Sequence, residues 1–174
     1  CIRDRIIQRN PFSDPRAQER LSCGEEPVLI TDCPVNRSWY EGVYGADGVR
    51  DVAGKTVLCA GFTMGPASLV KEYLRELCYH ILDLGPRVLL TSCIDQAMHN
   101  HVLYGGGVGR NLLIEQATGS QIATMSYMSS ESLRMAPDGM IRNAAGDSIA
   151  VVHQYDRHPE LKAAVEQAYQ DLRV

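Results

Sequence analysis

The run Thr56-Val57-Leu58-Cys59-Ala60 is the clearest strand in the chain, and the residues after it narrow the fold class. It feeds a glycine-containing stretch, Gly61-Phe62-Thr63-Met64-Gly65-Pro66-Ala67-Ser68. Leu69, Val70, Tyr73, Leu74, Leu77, Cys78, Ile81 and Leu82 then recur at helical spacing until Gly85-Pro86 ends the pattern. A strand, a glycine turn and an amphipathic helix in this order predict an α/β protein. Such a turn can aim backbone N–H groups at a ligand. Its glycine spacing is neither a dinucleotide nor a P-loop fingerprint, so any tight strand-to-helix turn would read the same way. A second helix opens at Pro159, with Leu161, Ala164, Val165, Ala168 and Leu172 as its stripe. Both stripes read as core faces.

The rest of the chain supplies further short elements. Cys1 to Ile7 reads as a strand broken by Asn10-Pro11-Phe12-Ser13-Asp14-Pro15, and Pro27 to Thr31 as a second short strand. Between Asp32 and Lys55, glycines alternate with Trp39, Tyr40 and Tyr44, which suggests a lid over a ligand or a surface connection. Val88 to Thr91 is a short apolar run. Strands are expected at Leu112-Leu113-Ile114 and Gln121-Ile122-Ala123-Thr124, and a loop over 126–137. Met140 to Asn143 and Ser148 to Val152, joined by Ala144-Ala145-Gly146-Asp147, read as a hairpin. At 174 residues the whole of 1–174 fits one domain.

A net charge of −4 and no basic stripe argue against a nucleic-acid partner. No apolar run reaches membrane-spanning length, so no membrane segment is expected. The six cysteines include no CxxC pair and suit no zinc site; an even count permits disulfides without requiring them. Because the sequence begins at Cys1, inside an apolar run, it reads as a piece whose upstream part lies elsewhere.

The densest polar stretch is Ile94-Asp95-Gln96-Ala97-Met98-His99-Asn100-His101, which the Gly105-Gly106-Gly107 run should end, leaving a mobile loop. As a helix it sets Asp95, His99 and Val102 on one face, with Gln96 and Asn100 on the neighbouring one. That face suits a base, a donor and an acceptor around a polar ligand; the plainer reading is a solvated helix surface. Other polar groups fall at strand ends: Asp4, Gly61 to Gly65, and His153 to Asp156. Asp4 is a candidate metal ligand or an ion-pair partner of Arg3 or Arg5. His153 is a second candidate ligand or a hydrogen-bonded histidine at the mouth of a site. One carboxylate with one imidazole and no thiolate suits Mn²⁺ or Mg²⁺ with a diphosphate. A nucleophile at Cys59 or Cys93 paired with His153 has no local sequence signature behind it.

Arg-Asp-x-x-x-Gln-x-Asn-Pro-Phe, Cys-Ala-Gly-x-Thr-x-Gly, Asp-Gln-x-x-His-Asn and Val-His-Gln-Tyr-Asp-Arg-His-Pro succeed one another between Ile2 and Pro159. In this order they resemble the acceptor-side half of GT-A-fold glycosyltransferases. The resemblance implies a GT-A-like α/β sandwich without its N-terminal nucleotide-binding part, a nucleotide-sugar donor, and a glycan or other hydroxyl acceptor. It implies Asp4 and His153 as ligands of Mn²⁺ or Mg²⁺, and Asp95 with Gln96 as catalytic residues. Gly61, Thr63, Gly65, His99, Asn100, Tyr155 and Asp156 would contact substrate. Two further expectations stand beside it: a catalytically silent carbohydrate- or nucleotide-binding module, and a metal-dependent hydrolase using Asp4, Asp95 and His153.

Overall fold

A computed structural model describes residues 4–86, 92–115, 119, 121–125, 128–129 and 133–169. In chain order these form β1 (Arg5–Ile7), α1 (Pro15–Glu19), β2 (Leu21–Leu29), α2 (Pro34–Asp51), β3 (Thr56–Met64), α3 (Ala67–Leu84), α4 (Ile94–Gly105), β4 (Leu112–Glu115), β5 (Ile122–Thr124), β6 (Leu133–Met135), β7 (Ile141–Asn143), β8 (Val151–His153) and α5 (Pro159–Tyr169). The architecture is mixed α/β with mixed sheets. One sheet has the order β3-β2-β4, the second β1-β8-β5, and β6 with β7 makes a two-stranded ribbon. β2 pairs antiparallel with β3 and parallel with β4; β8 pairs antiparallel with β1 and parallel with β5. The two larger sheets meet at Gly24, where an added Cβ would come within 2.7 Å of Thr124 Oγ1. Among the described residues no helix is long and apolar enough to cross a membrane.

Helices pack on the first sheet in two groups. Val57 and Ile30 lie with Tyr40, Val49 and Val52 around α2, and with Ala97 of α4. Leu21, Cys23 and Leu58 pack under Tyr73 of α3 and Val102 and Leu103 of α4. A third group, Ala123, Met125, Ile141, Ile149 and Val152 with Leu161 and Val165, anchors α5 to the second sheet. Removing each such aliphatic side chain from water contributes about 1.5–3 kcal/mol, and here the result is to hold the ends of β3, β8 and α4 together.

Several elements differ from their sequence reading. The stretch 32–55 is a helix rather than a lid or connection: Pro34 opens it, Asn36, Tyr40 and Val49 are buried, and Gly45 interrupts it at φ 71°. β3 runs past Ala60 to Met64 instead of turning at Gly61, because Thr63 and Met64 pair with Cys23 and Ser22 across a bulge. β2 begins at Leu21, well before Pro27. The expected hairpin at 140–152 keeps a local link, Arg142 to Ser148, but β7 pairs with β6 and β8 joins the second sheet. β6 itself lies within the stretch expected as a loop. The glycines after α4 lead into a 3-10 helix at Gly107–Asn111, not a loop. On α3 only Tyr73 is buried while Leu74, Ile81 and Leu82 are exposed, so its apolar stripe is wider than the core it covers. The apolar run 88–91, Cys1, Arg3 and Leu172 lie outside the described residues.

Candidate functional site

The site is built by the pairing of β1 with β8. Arg5 stands opposite His153, so Asp4 falls beside Gln154. The Gln154 N–H donates to the Asp4 carbonyl at 2.6 Å, and Gln154 adopts a left-handed conformation at φ 61°. This hook brings Asp4 Oδ2 to 3.4 Å from His153 Nε2. On the other side of the ring, His153 Nδ1 lies 3.4 Å from Cys59 Sγ of β3. The imidazole lies over Gly61, where any Cβ would overlap the ring. Glycine is needed here for close approach, with no turn involved.

The opposite wall comes from α4 and α2. Cys93 caps α4 in a left-handed conformation at φ 50°, and Asp95 lies exposed in the first turn. Asp4, Arg5, Glu26, Asn36, Trp39, Cys59, Gly61, Cys93, Asp95, Gln96, His153, Gln154 and Arg157 line a cavity of about 490 Å³. Cys93 and Gln154 are the only non-glycine residues at positive φ among the described residues, and both border this cavity. Strain of about 1–3 kcal/mol per such residue persists where the surroundings over-determine it, commonly at functional sites.

Burial shapes the electrostatics. It lowers the His153 pKa, and Arg5 lowers it further while the Asp4 charge raises it, so the ring is neutral at neutral pH. Burial pushes the Glu26 carboxyl up to about 7, opposed by a hydrogen bond from the Cys59 thiol. It pushes the Cys59 thiol up to about 12, against the lowering effect of a hydrogen bond donated by the Gly61 backbone N–H. A thiol so far from ionisation is a poor nucleophile, which removes the support that the short Cys59–His153 distance lends to thiol chemistry. Arg5 Nε and Asp4 Oδ1 are buried with no hydrogen-bond partner.

Asp4 Oδ2 and His153 Nε2 are the two atoms here that would face a divalent cation. Bonds of about 2.1 Å at right angles place neighbouring ligand atoms about 3 Å apart, close to the separation of Asp4 Oδ2 and His153 Nε2. Among the described residues no group of three or more His, Cys, Asp or Glu is placed to hold an ion alone. The other coordination positions would fall to water or to oxygens of a bound ligand.

No protein-family model matches the chain, and no curated protein or solved structure matches it either.

Asp4, Gly61, Asp95, Gln96 and His153 line one cavity, and Gln96 is engaged by the backbone. Its Oε1 accepts the Ala60 N–H at 2.9 Å and its Nε2 donates to the Leu58 carbonyl at 2.7 Å. With both ends of the amide occupied, Gln96 positions α4 rather than reacting. Asn100 is buried and bonded to Leu58 in the same way. His99 is buried away from the cavity, its Nδ1 2.7 Å from the Tyr73 hydroxyl. Thr63 lies against that same hydroxyl. Gly65 is required by packing: a Cβ would come within 2.9 Å of the Arg20 carbonyl. Tyr155 packs on the core beneath α5, and Asp156 is exposed beside it. Arg5, Glu26, Trp39 and Arg157 were not singled out as site residues from the sequence. Arg5 and Arg157 do flank the Asp4 and His153 motifs, and Trp39 falls in the aromatic stretch read as a lid or a surface connection, whereas Glu26 carries no local signal.

Proposed function

We propose that the chain is the acceptor-side part of a GT-A-like glycosyltransferase that moves a sugar from a nucleotide-sugar to a hydroxyl acceptor. The observation that carries this reading is the facing pair Asp4 Oδ2 and His153 Nε2 at the floor of a cavity that also holds Arg5, Arg157 and Asp95. Asp4 and His153 would hold Mn²⁺ or Mg²⁺, which supplies charge neutralisation for a departing diphosphate. Arg5, with its unpartnered Nε, and Arg157 offer cationic donors to the same diphosphate. Asp95, exposed at the start of α4, can take the acceptor hydroxyl proton as the new sugar–oxygen bond forms and the bond to the diphosphate breaks. Trp39 gives the cavity an aromatic wall suited to a sugar face.

The test is calorimetric titration of UDP and of GDP, each with and without Mn²⁺, into the protein and into Asp4→Ala and His153→Ala variants. Mn²⁺-dependent binding lost in both variants supports the proposal. Binding of nucleotide without transfer to any acceptor favours the silent-module reading. Release of sugar or phosphate without an acceptor favours the hydrolase.

A further inference from the structure

Away from the cavity, α2, α3 and α4 meet at a cluster of rings. Tyr44 of α2 stacks on His101 of α4, with centroids 4.0 Å apart and planes 15° from parallel. His80 of α3 meets the same imidazole at 4.9 Å with planes at 80°, and lies 6.2 Å from Tyr44. These three separations set a near-right angle at His101. Tyr44 therefore covers a face of the His101 ring, and His80 stands off its edge. Part of that edge is taken: Cγ carries the side-chain stem, and Nδ1 is 2.9 Å from the Tyr40 hydroxyl. The edge left for His80 runs from Cε1 through Nε2 to Cδ2. Among the described residues no hydrogen bond occupies His101 Nε2 or either ring nitrogen of His80.

The spacing of the two imidazoles is that of a shared metal ion. With metal–nitrogen bonds of about 2.0–2.1 Å, and an angle at the ion between square and tetrahedral, two ligating rings have centroids about 4.5–5.2 Å apart. The observed 4.9 Å lies inside that range. His80 lines an open groove with Tyr79, Leu82 and Asp83, and the χ2 torsion of histidine is soft, so its ring can turn to aim a nitrogen at the ion. Asp83, three residues along α3 in the same groove, offers a carboxylate to a further position, and water fills the rest. Burial and the neighbouring His80 lower the His101 pKa, opposed by Asp51, which favours the neutral ring that a metal requires. Imidazole ligands suit borderline ions such as Zn²⁺, Cu²⁺ and Ni²⁺, whereas Mn²⁺ and Mg²⁺ favour oxygen.

We propose that His80 and His101 form a metal site for a borderline divalent ion such as Zn²⁺, distinct from the Asp4–His153 pair. Nε2 of His101 is the ligand atom, which puts the ring proton on Nδ1 with the Tyr40 hydroxyl oxygen accepting it. The ion fastens α3 to α4. Because α4 also carries Asp95 and Gln96 at the cavity, the same ion steadies one cavity wall from the far side of the helix. The site stands whether or not the protein transfers sugars.

The experiment titrates Zn²⁺ alone into histidine-labelled protein free of any affinity tag, and follows the five histidine rings separately by two-bond ¹H–¹⁵N correlation. His101 Nε2 and one nitrogen of His80 should shift together and saturate at the same Zn²⁺ concentration. By calorimetry, His80→Gln and His101→Gln should each bind Zn²⁺ at least tenfold more weakly. His80 is only part-buried, so the glutamine there should leave the fold intact. At a Zn²⁺ concentration a hundredfold above Kd, the wild-type unfolding temperature should rise by about 5–10 °C, and that of His80→Gln by much less. Zn²⁺ that shifts neither ring, or shifts only His153, overturns the proposal. So does His80→Gln with wild-type Zn²⁺ affinity, since the ion would then sit elsewhere.

Discussion

Asn100 Oδ1 accepts the Leu58 N–H at 2.8 Å while Asn100 Nδ2 donates to the Leu58 carbonyl at 2.9 Å, so one side chain stands in for a neighbouring strand. β3 is an edge of its sheet, and Gln96 continues the same ladder to Ala60. An open edge would be a template for pairing with another chain. Two amides one helical turn apart close it and fix the start of α4 against the cavity.

Asn100→Ala is accordingly expected to destabilise the protein by about 2–4 kcal/mol, because the Leu58 N–H is left buried without a partner. Gln96→Ala, at a half-buried position, should cost about 1–2 kcal/mol. Urea unfolding of the two variants measures the difference. Equal, near-zero losses would mean that the ladder contributes nothing.

The same helix shows what the sequence could and could not reveal. The four-residue spacing of Gln96 and Asn100 put both amides on one face, which the helix confirms. That this face meets a strand edge rather than a ligand depends on where β3 ends its sheet, a tertiary fact with no local trace. His99 likewise owes its burial to Tyr73 on another helix. In α2 the glycines at 42, 45 and 48 weaken helix propensity and hide the period of Asn36, Tyr40 and Val49, whose burial stabilises the helix. Asp4 and His153 were legible singly as polar residues at the ends of a strand. That Glu26 lines the same cavity depends on the β2–β3 register, which a bulge makes unreadable from sequence.

Gly61→Ala should displace the His153 ring, since the new methyl would occupy its position. Overpacking of this kind costs about 1–3 kcal/mol. The expected result is a lowered unfolding midpoint together with at least tenfold weaker Mn²⁺ binding by calorimetry. Gly105→Ala adds the same methyl where nothing lies within 4 Å and serves as the control. If the Gly61 variant binds Mn²⁺ like the wild type, His153 does not need this ring position to hold the ion.

Burial lowers the His99 pKa to about 3, with the Tyr73 hydroxyl hydrogen-bonded to Nδ1. Its folded value lies below the unfolded value of about 6.5, so between the two the unfolded chain binds the extra proton. The stability it confers is full above about pH 6.5 and falls as the pH drops toward 3, by up to about 1.4 kcal/mol per pH unit. Glu26 acts in the opposite sense: its raised pKa favours the folded state as the pH falls from about 7 through the ordinary carboxylate range. A single pH profile would mix the two. The difference between wild type and His99→Gln isolates the histidine, and the variant should lose less stability between pH 6.5 and 4. Parallel profiles would show that His99 is not held neutral.

The described cysteines are all thiols, and their environments divide them. Cys78 and Cys93 are exposed, while Cys23, Cys33 and Cys59 are buried, and burial raises the pKa of Cys23 and Cys59. Since the thiolate is the reacting form, iodoacetamide at pH 8 should label Cys78 and Cys93 in the native protein. Cys23, Cys33 and Cys59 should be labelled only after urea unfolding, as read by peptide mass spectrometry. Cys93 lines the cavity and Cys78 does not, so UDP with Mn²⁺ should slow labelling of Cys93 alone. Slowing at both sites would point to a global change instead of an occupied cavity. The outcome at Cys59 matters most, because a thiolate–imidazolium pair with His153 would make it the first cysteine to react. Early labelling there would make Cys59 a nucleophile and turn the reading of this cavity toward covalent chemistry.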